Sequence, residues 1–254
     1  MSIPTDDRFV NQWYLDNTSP GGLDLNLVEV WDDYTGAGVT VTVIDDGFDY
    51  NHTDLAPNYL LGSDYDFGSN DDDAAPVATG DNHGTAVMGI IGAARNGTGV
   101  VGVSYDADLV GFRTDLSLGA TLNAIDATAD SEAANFVATD VVSMSFGTTG
   151  TFRVSAEDTG MVAGFALGSA EGRGGLGTVY VKSAGNDRTG DDTNAEMRDA
   201  TPFTITVAAA LEDGSVTSYS TPGASVLVTA FGSPGGGGGT IETTDRVGAP
   251  GYNS

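Results

Sequence analysis

Three residues have the types and settings that suit proton transfer and anion stabilisation. Asp45 directly follows the apolar run VTVI and precedes Asp46-Gly47. An acid at the end of a buried strand is costly unless something pairs with it. His83 stands in DNHGTAV, at the start of a stretch of small residues. A neutral imidazole there can pair with such a carboxylate, which fixes its tautomer and stabilises the imidazolium formed during base catalysis. Asn186 stands in VKSAGND, just past another apolar run. An amide at a strand end can donate to a developing oxyanion, and losing such a donor costs roughly 3–4 kcal/mol of transition-state stabilisation. Singly, an aspartate or a histidine is more often a satisfied polar residue, and Ala-Gly-Asn is only a turn. The Asp–His pair in these contexts reverses that balance.

The elements that must position these residues alternate along the chain. Strands are expected at 39–44, 109–112, 140–145, 178–183, 204–208 and 226–229. Helices are expected at 84–94, 118–133 and 154–170. This order argues for an α/β fold in three layers, a mostly parallel central sheet with helices on both faces. Catalytic groups then belong at the carboxyl ends of the strands. Segments 64–80 and 233–239 are turn-rich and are expected to lack regular structure. No linker or internal repeat divides the chain, so residues 1–254 read as one domain.

Composition narrows the function classes. Thirty-six acids face nine bases, for a net charge of −27, and the single lysine is Lys182. Such a surface repels nucleic acid and anionic membranes, and it also fits a solvated acidic face with no partner. Cysteine is absent, which excludes disulfides and thiolate catalysis. No run of about 18 apolar residues is present, so no membrane span is expected. The opening MSIPTDDRFV has no basic region and no apolar core, so it is not a Sec signal peptide. A secreted location then requires a removed leader or another export route.

Five segments in order carry a family resemblance. VTVIDDGFDYNHTDL resembles the aspartate motif of the subtilisin-like serine proteases, family S8, in its kexin/furin-like form. NHGTAVMGIIGA resembles their histidine motif, and EGRGGLGTVYVKSAGN the segment ending in the oxyanion asparagine. PTDDRFVNQWYLDN resembles the start of that catalytic domain, and SMSFG the strand that pairs with substrate backbone. The resemblance implies a serine endopeptidase. Asp45 would orient His83, His83 would be general base and acid, and Asn186 would complete the oxyanion hole. Ser145, Phe146 and Gly147 would pair with an extended peptide or protein substrate by strand addition. Gly174, Leu176 and Gly177 would line the opposite wall of the cleft.

The family's nucleophile motif, Gly-Thr-Ser-x-x-Ala-Pro at the start of a long buried helix, does not occur here. The tail TTDRVGAPGYNS resembles the segment just before it, and Ser254 follows Gly-Tyr-Asn. The expectation is a catalytic domain incomplete at its C-terminus and inactive as it stands, lacking the final catalytic segment and further C-terminal domains. The alternative is a non-catalytic calcium- or peptide-binding module on the same fold.

The resemblance also implies calcium. Its ligands would be Asp6, Asp54, the Asn96 side chain, and the carbonyls of Ala94, Thr98 and Val100. Six or seven hard oxygens suit Ca2+ over zinc or magnesium; the plainer reading is a glycine-rich turn beside unrelated acids. A second family site near Asp191 is incomplete, since other expected acids fall on threonines. The 70–73 run reads as a solvated loop and His52 as structural.

For specificity, Asp46 matches an acid that faces the second residue before the cut. Glu196 falls near an acid at the bottom of the first pocket, and a second pocket acid is replaced by Thr149 or a neighbour. These favour Arg or Lys before the cut. A broad specificity on a very acidic surface is the competing expectation.

Overall fold

A computed structural model describes residues 3–129, 136–147, 155–234, 241–248 and 251–252. Thr149 and Ser254 lie outside them. Seven strands form one sheet: β1 (Thr40–Asp45), β2 (Tyr65–Asp66), β3 (Asp108–Arg113), β4 (Val141–Met144), β5 (Val179–Ser183), β6 (Thr204–Ala210) and β7 (Val226–Phe231). Their order is β2-β3-β1-β4-β5-β6-β7, and every pairing between them is parallel. The helices are α1 (Leu27–Val30), α2 (His83–Gly92), α3 (Leu118–Ala129) and α4 (Ala156–Gly175).

β1 is buried at all of its positions, as an unbroken Val/Thr/Ile run in a doubly covered parallel sheet must be. Alternate residues of β1 face opposite layers. Ile44 joins Val110, Phe112, Val142, Met144 and Tyr180 in a core with Ala124 and Ile125 of α3 and Met161 and Phe165 of α4. Val41 and Val43 join Leu109 in a second core with Met88 of α2. Successive strands add to opposite sides of β1 and β4, so the sheet reverses direction there, and the carboxyl ends at such a point form a crevice.

The two faces end differently. On the α3/α4 side burial continues through Val142, Met144, Tyr180 and Lys182. On the α2 side it stops after β1. Val141, Ser143, Val181, Ser183, Ile205 and Val207 are only half-buried, and Val179 is 41% exposed. Among the described residues nothing covers this face as fully as the α3/α4 side is covered, whereas parallel sheets carry cover on both faces.

Segment 64–80 departs from expectation by containing β2. Tyr65 packs edge-on against Phe67 and Phe136, and the Asp66 carboxylate accepts from the Gly68 and Ser69 amides. Tyr65 and Phe67 alternate with acids and both pack on the core, but β2 is two residues long, too short a run to be read as a strand from sequence.

Candidate active site

β1 ends on Asp45 and α2 begins on His83. Both carboxylate oxygens of Asp45 lie 2.9 Å from Nδ1 of His83. This approach requires glycine at position 84. A Cβ there would lie 2.5 Å from the Gly47 carbonyl oxygen and 3.0 Å from Cβ of Asp45, so the helix could not come as close to the strand end. Asp45 is buried, whereas the His83 side chain is 46% exposed. Nδ1 is held by the buried acid, and Nε2 is the nitrogen left for proton transfer. The hydrogen bond that Nδ1 donates to Asp45 raises the His83 pKa above the ordinary histidine value. Burial opposes this, and the charges of Asp45 and Asp46 add to it.

Asp46 caps the same helix. Its Oδ2 accepts from the His83 amide at 3.2 Å and its Oδ1 from the Gly84 amide at 2.7 Å. A carboxylate at this end of a helix meets free amides and the positive end of the helix dipole. Burial pushes the Asp46 carboxyl up, and these two amides pull it back.

Asn186 is exposed, three residues beyond the end of β5. The sheet is parallel, so it shares an edge with Asp45. Ser145, Phe146 and Gly147 continue past the end of the β4 ladder at that edge. Gly174, Leu176 and Gly177 do not line the cleft. They precede β5, at the amino-terminal edge, one strand length from the site. There they turn α4 back into the sheet: Gly174 and Gly177 adopt positive φ, the Gly177 amide donates to the Gly172 carbonyl, and the neighbouring Arg173 pairs with Asp140. At the edge that carries the site the β4–β5 ladder ends with Met144 paired to Lys182, and Ser183, Ala184 and Gly185 follow Lys182 there. The expectation of Gly174, Leu176 and Gly177 at the cleft rests on a motif that resembles a family segment running on to Asn186, but strand direction decides which end of it reaches the site.

Glu196 is buried in an ionic cluster beneath this edge. Its Oε2 accepts from Arg198 at 3.1 Å, and Oε1 is buried without a hydrogen-bond partner. Arg198 also pairs with Asp158, and Lys182 with Asp199 at 2.9 Å. Burial raises the Glu196 carboxyl above its ordinary value, with Arg198 opposing. Lys182 donates to the Ser183 carbonyl, and a Cβ at Gly147 would lie 3.7 Å from its Nζ. The one lysine of the chain therefore sits beneath the segment that follows β4.

The chain from 241 to 248 straps onto α2, a feature that sequence reasoning missed. The hydroxyls of Thr243 and Thr244 donate to the Ala86 and Thr85 carbonyls at 2.7 Å. The Val247 amide donates to a carboxylate oxygen of Asp49 and the Tyr252 amide to one of Asp245, and burial followed by the charges of Asp46, Asp45 and Asp245 pushes the Tyr252 phenol up.

The expected metal ligands converge. Asp6 and Asp54 are both buried. Asp6 Oδ1 accepts from the Asn96 and Gly97 amides, while Oδ2 is buried with no partner. Asp54 Oδ2 accepts from the Val100 amide at 2.9 Å, and burial raises this carboxyl. Gly99 has φ 60°, and a Cβ there would meet Asp54 Oδ2 at 2.0 Å. The carbonyls of Ala94, Thr98 and Val100 accept no backbone N–H among the described residues, and Asn96 turns its side-chain oxygen to Thr98. Among the described residues no three His, Cys, Asp or Glu side chains group around a metal position. Any ion here relies on backbone and amide oxygens beside two acids, a hard donor set that fits Ca2+. His52 is structural, with Nδ1 accepting from the Asp54 amide.

The pattern of the subtilase family matches residues 36–252. Human neuroendocrine convertase 2 is 36% identical over 236 residues, covering 89% of this chain and 36% of the relative. Furin of Bos taurus is 35% identical over 257 residues, covering 95% of this chain and 30% of the relative. The chain thus spans about a third of the length of these relatives. The serine protease of Aeromonas sobria superposes with a TM-score of 0.81 at 28% identity, covering 100% of this chain and 48% of that protein.

Proposed function

Because the chain belongs to the subtilase family of serine peptidases, we propose that Asp45 and His83 are the acid–base pair of an endopeptidase acting by acyl transfer. The nucleophilic serine would come from a segment outside residues 1–254. The observation that carries this is the Asp45–His83 pair, a buried acid on Nδ1 of a half-exposed imidazole. In this reading His83 takes the serine proton and returns it to the leaving amine. Asn186 donates to the oxyanion, and Ser145–Gly147 hold the substrate backbone. The half-open sheet face beside α2 supports a further helix, which would carry the serine. The experiment is to extend the protein through the residues that follow Ser254 in its reading frame. A Gly-Thr-Ser-x-x-Ala-Pro motif there, and peptide cleavage only by the extended protein, support the reading. An extended protein that binds calcium or peptide but cleaves nothing would favour the non-catalytic module.

Calcium would be held by Asp6, Asp54, the Asn96 side chain and the carbonyls of Ala94, Thr98 and Val100. It would lock the start of the chain to the loop after α2. The orphaned Asp6 oxygen supports this. For specificity, the cluster of Glu196, Asp199 and Asp158 against Lys182 and Arg198 has one negative charge in excess, and Glu196 Oε1 lacks a partner. A substrate Arg or Lys would supply the missing cation, and Asp46 would favour a second basic residue. The strongly acidic surface suits a calcium-rich or high-salt medium, where its self-repulsion is screened, and this supports action outside the cell. No helix among the described residues is long and apolar enough to cross a membrane.

A further inference from the structure

Arg113 ends β3 directly beside Asp45, its register partner on β1. Its side chain is 8% exposed and reaches three chain segments. Nε donates to the Asp46 carbonyl at 3.0 Å, Nη1 to Asp66 Oδ2 at 2.7 Å and Nη2 to Asp81 Oδ2 at 3.3 Å. Two of these contacts, those to Asp46 and Asp81, lead toward His83. The Asp46 carboxylate holds the His83 and Gly84 amides. Asp81 stands two residues before His83, and its Oδ2 also accepts from the Val77 and Ala78 amides. Asp66 anchors the guanidinium from the far side, in β2. Arg246 binds the same entry loop from outside, at the Ala78 carbonyl and Asn82 Oδ1.

We propose that Arg113 is a positioning residue for the Asp45–His83 pair. Its planar fork ties the end of β1 to the loop entering α2, and so sets the distance from the acid to the imidazole. A guanidinium suits the task because its donors are fixed in one plane and point to separate acceptors; an ammonium is a point charge on a flexible stem. Of the segments tied together, the end of β1 and β2 are positioned by the sheet itself, and the loop that carries Asp81 into α2 is not. The proposal matters for catalysis because it rests on the reading of His83 as the base.

The test uses the chain as it exists, which contains only two histidines, His52 and His83. Imidazole NMR signals of His83 are identified by their persistence in His52→Gln. The probe is the hydrogen-bonded Nδ1 proton, seen far downfield when the ring is protonated, together with the His83 titration. Arg113→Met combined with Asp66→Asn removes one charge of each sign, so the net charge near His83 is preserved. Asp45, Asp46 and Asp81 still face the ring region in this variant. The expected result is loss or broadening of the Nδ1 signal and a His83 pKa lower by about half a unit or more. Arg113→Lys should not restore the signal. Ser155→Ala, which removes the remote cap of α4, should lower stability and leave His83 unchanged. Should the double variant fail to fold, Asp81→Asn tests the same tie and should broaden the Nδ1 signal. An unaltered Nδ1 signal in the folded variants, or full rescue by Arg113→Lys, would overturn the proposal. Its failure is distinct from failure of the peptidase reading, which is decided by whether labelling of the extended protein's serine needs His83.

Discussion

Both oxygens of Asp45 contact Nδ1 of His83, although the two residues are 38 positions apart and belong to different layers of the fold. The pairing has a thermodynamic sign. His83 binds its proton more tightly in the folded chain than an ordinary histidine near 6.5. Its contribution to stability is therefore fully present below about pH 6.5 and is lost as pH rises through the folded value. Asp45→Asn should return the His83 titration toward the ordinary value. The stability gap between parent and variant, measured by denaturant unfolding, should be widest below pH 6.5 and narrow at alkaline pH. A gap that widens with rising pH would assign Asp45 another role.

Calcium should raise the melting temperature by several degrees relative to chelator, because a ligand bound only by the native state stabilises by mass action, about 2.7 kcal/mol at a hundredfold excess over Kd. Asp54→Ala should abolish the difference, and Asp6→Asn should weaken it. An Asp54→Ala protein that responds like the parent places the ion elsewhere.

In the extended, active protein, Glu196→Gln should lower kcat/KM for substrates with Arg or Lys before the cut and spare those with Leu or Phe. The preference should persist as salt rises, since a paired charge inside a pocket is screened less than the exposed acidic surface, whose field decays within about 10 Å at 0.1 M. A preference that vanishes with salt would assign it to the general field.

The order of strands and helices was legible because apolar runs and small-residue helices repeat along the chain, and the dyad was legible because Asp45 and His83 sit at predictable ends of β1 and α2. The tertiary ties were not. Arg113, Arg246 and the Thr243–Thr244 strap act through contacts between segments far apart in sequence, and such contacts leave no local period. Gly174, Leu176 and Gly177 were misplaced for a related reason: their motif runs continuously into Asn186, but β5 intervenes, and its length carries the two ends of the motif to opposite edges of the sheet. Glu196 was identified by position alone, and only the fold reveals Arg198, Asp158, Lys182 and Asp199 around it.

The central claim is that Asp45 and His83 activate a serine that residues 1–254 do not supply. Fluorophosphonate labelling tests it most directly, because the reagent reports an activated serine irrespective of substrate preference. The account predicts no stoichiometric labelling of the 254-residue chain, labelling of the extended protein at a serine beyond residue 254, and its loss in His83→Ala. Stoichiometric labelling of any serine within residues 1–254, or labelling of the extended protein that survives His83→Ala, would contradict it.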